Sequence, residues 1–287
     1  MARAPPCGHG LSRSASLAAL RFTGRGRQSP CRLDPGGVPM PVAVQLFQPA
    51  GWRLSLYPQA GEAGGCFQPS VHAPRVYVPG APAADPDRAL AEARRRARTK
   101  VRRYCAANRL NRLGTLTYRG GGCHDPVQLR ADVAAFFKNL RLALGGGPLP
   151  YVWVPEWHKT DHGLHVHFAV GQYIRRSLIA QAWAHGFIHI KALTDLPVGS
   201  TSWHEARRAA GYLSKYVTKS FETDLAGMHR YEVAQGFQPA VERLSDTSRD
   251  RVLAQATRRM GAAPSRVWFS EDTEAWVGPP AMWFAWD

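Results

Sequence analysis

His165 and His167 stand two residues apart in Gly163-Leu164-His165-Val166-His167-Phe168. Read with a strand period of two, both imidazoles fall on one face, and Leu164, Val166, Phe168 and Val170 fall on the other. The two Cα atoms are then about 7 Å apart, twice the ~3.3 Å rise per residue, so both rings can lean onto one ion. Glu156, a few residues earlier, offers a carboxylate. Two imidazoles and a carboxylate with open positions suit an exchangeable divalent cation and would also accept zinc, but a structural zinc wants four protein ligands and no fourth is evident. Two polar residues on the open face of an antiparallel strand would give the same pattern. The neighbouring residues therefore have to decide the chemistry.

A second group lies downstream in Tyr212-Leu213-Ser214-Lys215-Tyr216-Val217-Thr218-Lys219. At 100° per residue, Tyr212, Lys215, Tyr216 and Lys219 share a sector of about 100°, with Ala206, Ala210, Leu213, Val217 and Phe221 roughly opposite. An amphipathic helix with snorkelling tyrosines and lysines would look the same. Joined to a metal-competent strand, however, these are the parts needed for phosphoryl transfer to tyrosine. A cation can orient and neutralise a phosphate. A phenol with an ordinary pKa near 10 is a poor nucleophile at neutral pH, and a neighbouring Lys⁺ favours its ionised form.

The elements that must position these groups follow from periodicity. Asp85 caps a helix with Pro86 at its first position. From Arg88 to Arg112 the chain carries ten Lys and Arg against the single acid Glu92. Arg94, Arg95, Arg98, Lys100, Arg102 and Arg103 are its candidate phosphate contacts. Leu113–Tyr118 reads as a strand ended by Gly120–Gly122. Asp125-Pro126-Val127-Gln128 has the character of a capping box, opening a helix whose buried face is Leu129, Val133, Phe136, Phe137, Leu140 and Leu144. Tyr151–Trp157 and the histidine strand read as a hairpin. Arg175–His185 is a helix, Phe187–Lys191 a strand and Trp203–Phe221 the last clear helix. This order predicts an α+β fold, a central antiparallel sheet with flanking helices. No G-x-x-x-x-G-K-[ST] loop is present, so no ATP-driven motor is encoded in this stretch.

The formal charge of +16 and pI near 10.3 favour a polyanionic partner, nucleic acid before membrane. Cys7, Cys31, Cys66, Cys105 and Cys123 form no C-x-x-C pair, which argues against a zinc ribbon and for a reduced, cytoplasmic protein. The apolar run Leu17–Leu20 is too short for a signal peptide or a span. Residues 1–84 are rich in Gly and Pro and are expected to be largely disordered, although Val42–Phe47 and Trp52–Tyr57 have the character of short strands. Met40 is an alternative start. The expected division is 1–84 as this N-terminal region, 85–222 as a catalytic domain, and 223–287 as an extension of unassigned role. In that extension Ser248–Met260 reads as a helix and Val267–Phe269 as a strand. Trp268, Trp276, Trp283 and Trp286 either pack back onto a core or offer a base-stacking surface.

Three signatures in this order resemble the HUH endonucleases, and among them the rolling-circle replication initiators of plasmids and small phages. Leu113–Tyr118, "LGTLTY", is similar to their hydrophobic first motif. "GLHVHF" at Gly163–Phe168 is similar to the His-hydrophobe-His motif. Tyr212–Lys219, "YLSKYVTK", is similar to the two-tyrosine form of the third. The resemblance covers about residues 100–222 and implies an RRM-like or ferredoxin-like sheet. It implies Mg²⁺ or Mn²⁺ held by His165 and His167, with Glu156 as third ligand or as a partner of the ligands. It implies Tyr212 or Tyr216 attacking single-stranded origin DNA, leaving a 5′-phosphotyrosine and a free 3′-OH, with Lys215 and Lys219 positioning substrate or stabilising charge. The second tyrosine would make the cleavage that closes a round. A host helicase and a DNA polymerase are the implied partners, and no membrane is. Two readings stay open beside it: a two-tyrosine transposase or relaxase, and a non-catalytic nucleic-acid-binding α+β module.

Overall fold

The computed structural model describes residues 49–70, 83, 85–191, 201–221, 229–274 and 276–287. Strand β1 (Gly51–Tyr57) and strand β2 (Glu62–Gln68) come first, then helix α1 (Pro86–Ala107). The central run is β3 (Arg112–Tyr118), α2 (Pro126–Ala143), β4 (Tyr151–Trp157), β5 (Leu164–Val170), α3 (Arg176–Trp183), β6 (Gly186–Lys191) and α4 (Ser202–Lys219). The chain continues through β7 (Glu232–Val233), β8 (Glu242–Asp246), α5 (Arg249–Met260), β9 (Arg266–Phe269) and β10 (Ala281–Ala285).

The fold is α+β, with two antiparallel five-stranded sheets where one was expected. The first sheet has the order β6-β3-β5-β4-β7. Its strands and helices from β3 to β6 follow the β-α-β-β-α-β pattern of ferredoxin-like units. Helices α2 and α3 cover one side. Phe136, Phe137, Leu140 and Trp183 pack there on Leu116, Leu164, Val166 and Phe168. Helices α1 and α4 cover the other, where Val101, Tyr104, Ala210, Leu213 and Val217 meet Leu113, Val154 and Ala169. The alternation in β5 therefore separates two packed layers, and the histidine face is roofed by α4 instead of lying open.

Two capping expectations resolve differently. Asp85 accepts from the Arg88 amide at 3.0 Å and caps α1. Asp125 accepts from the Val127 amide at 2.8 Å, but Gln128 does not reach back. Its amide instead donates to Asp132 at 2.8 Å, because buried Asp132, already accepting from the Tyr118 hydroxyl, is the more demanding acceptor.

The second sheet, β8-β1-β2-β10-β9, corrects the reading of residues 1–84 as disordered throughout. Residues 51–68 form a hairpin at its centre, in the register Trp52↔Phe67 and Leu56↔Ala63. Leu54, Leu56, Met282 and Phe284 pack against Val252 and Ala256 of α5. The Gly and Pro content of the N-terminal region hid a strand pair that gains its core only from residues some two hundred positions later. Val42–Phe47 lies outside the described residues. The boundary expected at residue 222 does not separate the two sheets either. Beyond it, β7 pairs with β4, and the Tyr104 hydroxyl and Asn108 amide donate to the carbonyls of Ala234 and Phe237.

Candidate metal centre

Register brings the three donors together. Glu156 on β4 lies directly opposite His165 on β5, so it shares the histidine face despite the intervening Pro155. The β4–β5 turn closes at Gly163, whose φ of 75° and close approach to the Cys123 carbonyl exclude a Cβ. Leu164 then donates its amide to that carbonyl at 2.6 Å, which anchors the start of the histidine strand.

His165 Nε2 and His167 Nε2 lie 3.0 Å apart, and they are 3.0 and 2.8 Å from Glu156 Oε2. Protons alone cannot satisfy this triangle. If both rings donate to the carboxylate, two N–H groups face each other; if one ring accepts, its lone pair faces the carboxylate oxygen. A cation satisfies all three edges. Neighbouring corners of an octahedron with bonds of about 2.1 Å lie about 3.0 Å apart, the spacing seen here. A tetrahedral zinc with similar bonds would need about 3.4 Å. Among the described residues this is the one group of three or more His, Cys, Asp or Glu donors close enough to share an ion, and it is compatible with a divalent metal.

The electrostatics fit the same use. Burial would raise the Glu156 carboxyl, but hydrogen bonds from His165, His167 and Lys219 hold it far below its ordinary value, so it stays ionised. Burial is also the main cause that lowers the His167 imidazole, against the opposing pull of Glu156, and keeps it neutral as a ligand must be. Thr115 on β3 pairs with His167 in register, and its hydroxyl lies 3.1 Å from Nδ1, fixing the ring from behind. His165 Nδ1 is buried without a protein partner among the described residues.

Helix α4 lays its tyrosines over this centre. The Tyr216 ring stacks on the His167 ring at 3.5 Å between centroids and 16° between planes. Its hydroxyl donates to the Tyr212 hydroxyl at 2.8 Å. Burial, then the hydrogen bond to Tyr212, raises the Tyr216 phenol well above its ordinary value. Lys219 Nζ is 2.7 Å from Glu156 Oε1 and 5.3 Å from the Tyr216 ring centroid. Lys215 is exposed and makes no hydrogen bond or ion pair among the described residues. A residue not singled out from sequence takes the place expected for it: Lys191 of β6 has its Nζ 4.9 Å from the Tyr212 ring centroid. With His189, Thr115 and His167 it lines a small recess beside Tyr212. The spacing of β6 put Lys191 and His189 on one face, but only the β3–β6 register could bring that face to this site. His158 and His162 are turn residues, bonded to Thr160 and to the Tyr118 carbonyl at 2.7 and 2.8 Å.

Residues 111–221 match the family model of replication-associated protein ORF2. The matched stretch runs from β3 to just past α4 and contains Thr115, Glu156, both histidines, both tyrosines and Lys219. It supports a replication-initiator family for this part of the chain. No curated protein and no solved structure matches the chain.

The cationic helix divides. Arg95, Arg98 and Lys100 are exposed and Arg94 is half-buried. Arg102 and Arg103, expected to contact phosphate, are bound within the protein instead. Arg102 grips the buried Glu62 carboxylate through two bonds of 2.9 and 2.8 Å, and Arg103 adds a third at 2.9 Å. A buried carboxylate on β2 needs such partners, and these are the two cations that α1 presents to it. Among the described residues no helix is long and apolar enough to cross a membrane.

Proposed function

We propose that the chain is a metal-dependent, tyrosine-nucleophile DNA endonuclease and strand transferase that initiates rolling-circle replication on single-stranded origin DNA. The observation that carries this reading is the stacking of a tyrosine pair directly on a three-donor cation site within a segment that matches replication-associated proteins.

Mg²⁺ or Mn²⁺ held by Glu156, His165 and His167 would neutralise charge on the scissile phosphate and orient it. The protein's own groups do the rest. Tyr212 Oη receives the hydrogen bond from Tyr216, which would stabilise negative charge on that oxygen, and Lys191 adds positive charge beside its ring. We therefore assign the first attack to Tyr212. Its phenol proton passes to solvent, its oxygen bonds to phosphorus, and the bond from phosphorus to the 3′ oxygen breaks. The leaving oxygen takes a proton and becomes the 3′-OH for a polymerase, while the phosphate remains on the tyrosine as a 5′-phosphotyrosine. Tyr216 is then the second nucleophile. Lys219 holds Glu156 in place and balances its charge. A host helicase would supply unwinding.

The test is incubation with labelled single-stranded origin DNA and Mn²⁺. The expected result is an adduct that survives denaturation, with mass spectrometry locating the DNA on Tyr212. Tyr212→Phe with Tyr216→Phe should abolish it, and His165→Ala should abolish nicking while leaving most salt-dependent binding. An adduct formed by the double tyrosine variant would overturn the assignment.

A further inference from the structure

The second sheet has faces of opposite character. One is the apolar side packed on α5. On the other, the register aligns Arg243 of β8 with β1, Arg53 and Tyr57 of β1, Trp283 of β10, and Arg266 and Trp268 of β9. Between them the floor is small: Ser55 pairs with Gly64, and Gly64 with Trp283. Arg243 and Arg266 are exposed, and the other four are half-buried.

Guanidinium groups and rings interleave across this face. Arg102 and Arg266 lie 5.7 and 5.8 Å from the Trp283 ring, and Arg103 lies 4.1 Å from the Tyr57 ring. The only acid the sheet turns to this side is Glu62, which Arg102 and Arg103 already neutralise. Arg266 also reaches Asp287 at 3.2 Å, an acid that it shares with Arg207. Arginines beside half-exposed indoles are what a sequence-tolerant nucleic-acid surface uses, with phosphates on the cations and bases on the rings. Duplex DNA fits poorly. Five strands about 4.8 Å apart span about 19 Å, wider than a major groove of about 12 Å.

We propose that this face of the second sheet binds single-stranded DNA, with bases stacked on Trp283 and Trp268 and phosphates held by Arg53 and Arg243. The residues lie outside the 111–221 segment, so the surface would hold strand away from the site of cleavage. The choice of DNA over RNA rests on the function proposed above.

The test is fluorescence anisotropy of a labelled oligothymidylate with the full chain across a salt series. Arg53→Ala with Arg243→Ala should weaken binding and lower the slope of log affinity against log salt by about 1.4, near 0.7 for each phosphate no longer neutralised. Trp283→Leu should weaken binding roughly five- to hundredfold, and Trp283→Phe much less. Equal or tighter binding of an oligouridylate would overturn the assignment to DNA. Assaying the covalent adduct on the same proteins keeps the two readings apart. Unchanged affinity and slope in the arginine variant, with adduct still formed, overturns this surface alone. Lost binding in that variant, with no adduct even from wild type, supports the surface and overturns the nuclease. Photocrosslinking of bromodeoxyuridine DNA to the wild-type chain needs no variant. Crosslinks are expected in β1, β8, β9 or β10, and crosslinks confined to 111–221 would overturn the surface.

Discussion

Each donor in the cation site has a second contact that fixes its orientation, and Thr115 is the one whose role separates most cleanly from folding. Its hydroxyl reaches His167 Nδ1, while Glu156 and His165 meet Nε2. Groups that orient a ligating imidazole commonly set metal affinity by ten- to a hundredfold. Thr115→Val keeps the β-branched shape, so calorimetry should show Mn²⁺ binding about tenfold weaker with little change in melting temperature. Equal affinity would mean that stacking against Tyr216 alone holds the ring. The alternation of β5 made the shared face of His165 and His167 legible from sequence. Glu156 was harder, because Pro155 obscures strand parity and only the pairing Glu156↔His165 resolves it. Thr115 and Lys191 were not legible as site residues, because both reach the site through cross-strand register, which no local pattern encodes.

Among the elements, β3 shows how tightly the site is backed. Gly114 sits opposite Phe168, and a Cβ there would fall 2.3 Å from the Phe168 ring. That ring is buried between Phe136 and Phe137, so it has nowhere to move. Gly114→Ala is therefore expected to destabilise the chain by about 1–3 kcal/mol as an overpacked core, read by denaturant titration. A smaller loss would mean that α2 yields. The glycine in "LGTLTY" is thus explained by packing, not by a turn. The same logic predicts thiol reactivity. Burial between α1 and the first sheet pushes the Cys105 thiol far up and shuts it from solvent, and Cys123 is also buried, whereas Cys66 is half-exposed. Of these three, brief alkylation of the native chain should label Cys66, and labelling of Cys105 without unfolding would contradict its packing. Elements with a sustained period, such as α2 and the β4–β5 hairpin, were legible. The second sheet was not, because the partners of β1 and β2 lie at 242–285.

At the scale of the whole molecule, the three-way contact of Glu62 with Arg102 and Arg103 ties the second sheet to α1, and through α1 to the roof of the cation site. Glu62 is 1% exposed. Burial by itself would raise its carboxyl, but the Arg102 hydrogen bonds and the charges of both arginines outweigh that and hold it below its ordinary value of 4.5. A carboxyl whose folded pKa is depressed contributes stability that is fully present above the unfolded value. That contribution is lost as pH falls through the lower, folded value. At pH 7, Glu62→Gln should therefore cost about 3 kcal/mol, the low end for breaking a buried pair, because Arg102 and Arg103 can turn to water. As pH drops below about 4.5, wild type and variant should converge, since the wild-type carboxyl is taking up a proton that the amide does not need. Denaturant midpoints measured across that window read the difference directly. A gap that stayed constant with pH would assign the loss to shape instead of charge, and the tie between the two sheets would then rest on packing around Tyr57 and Trp203.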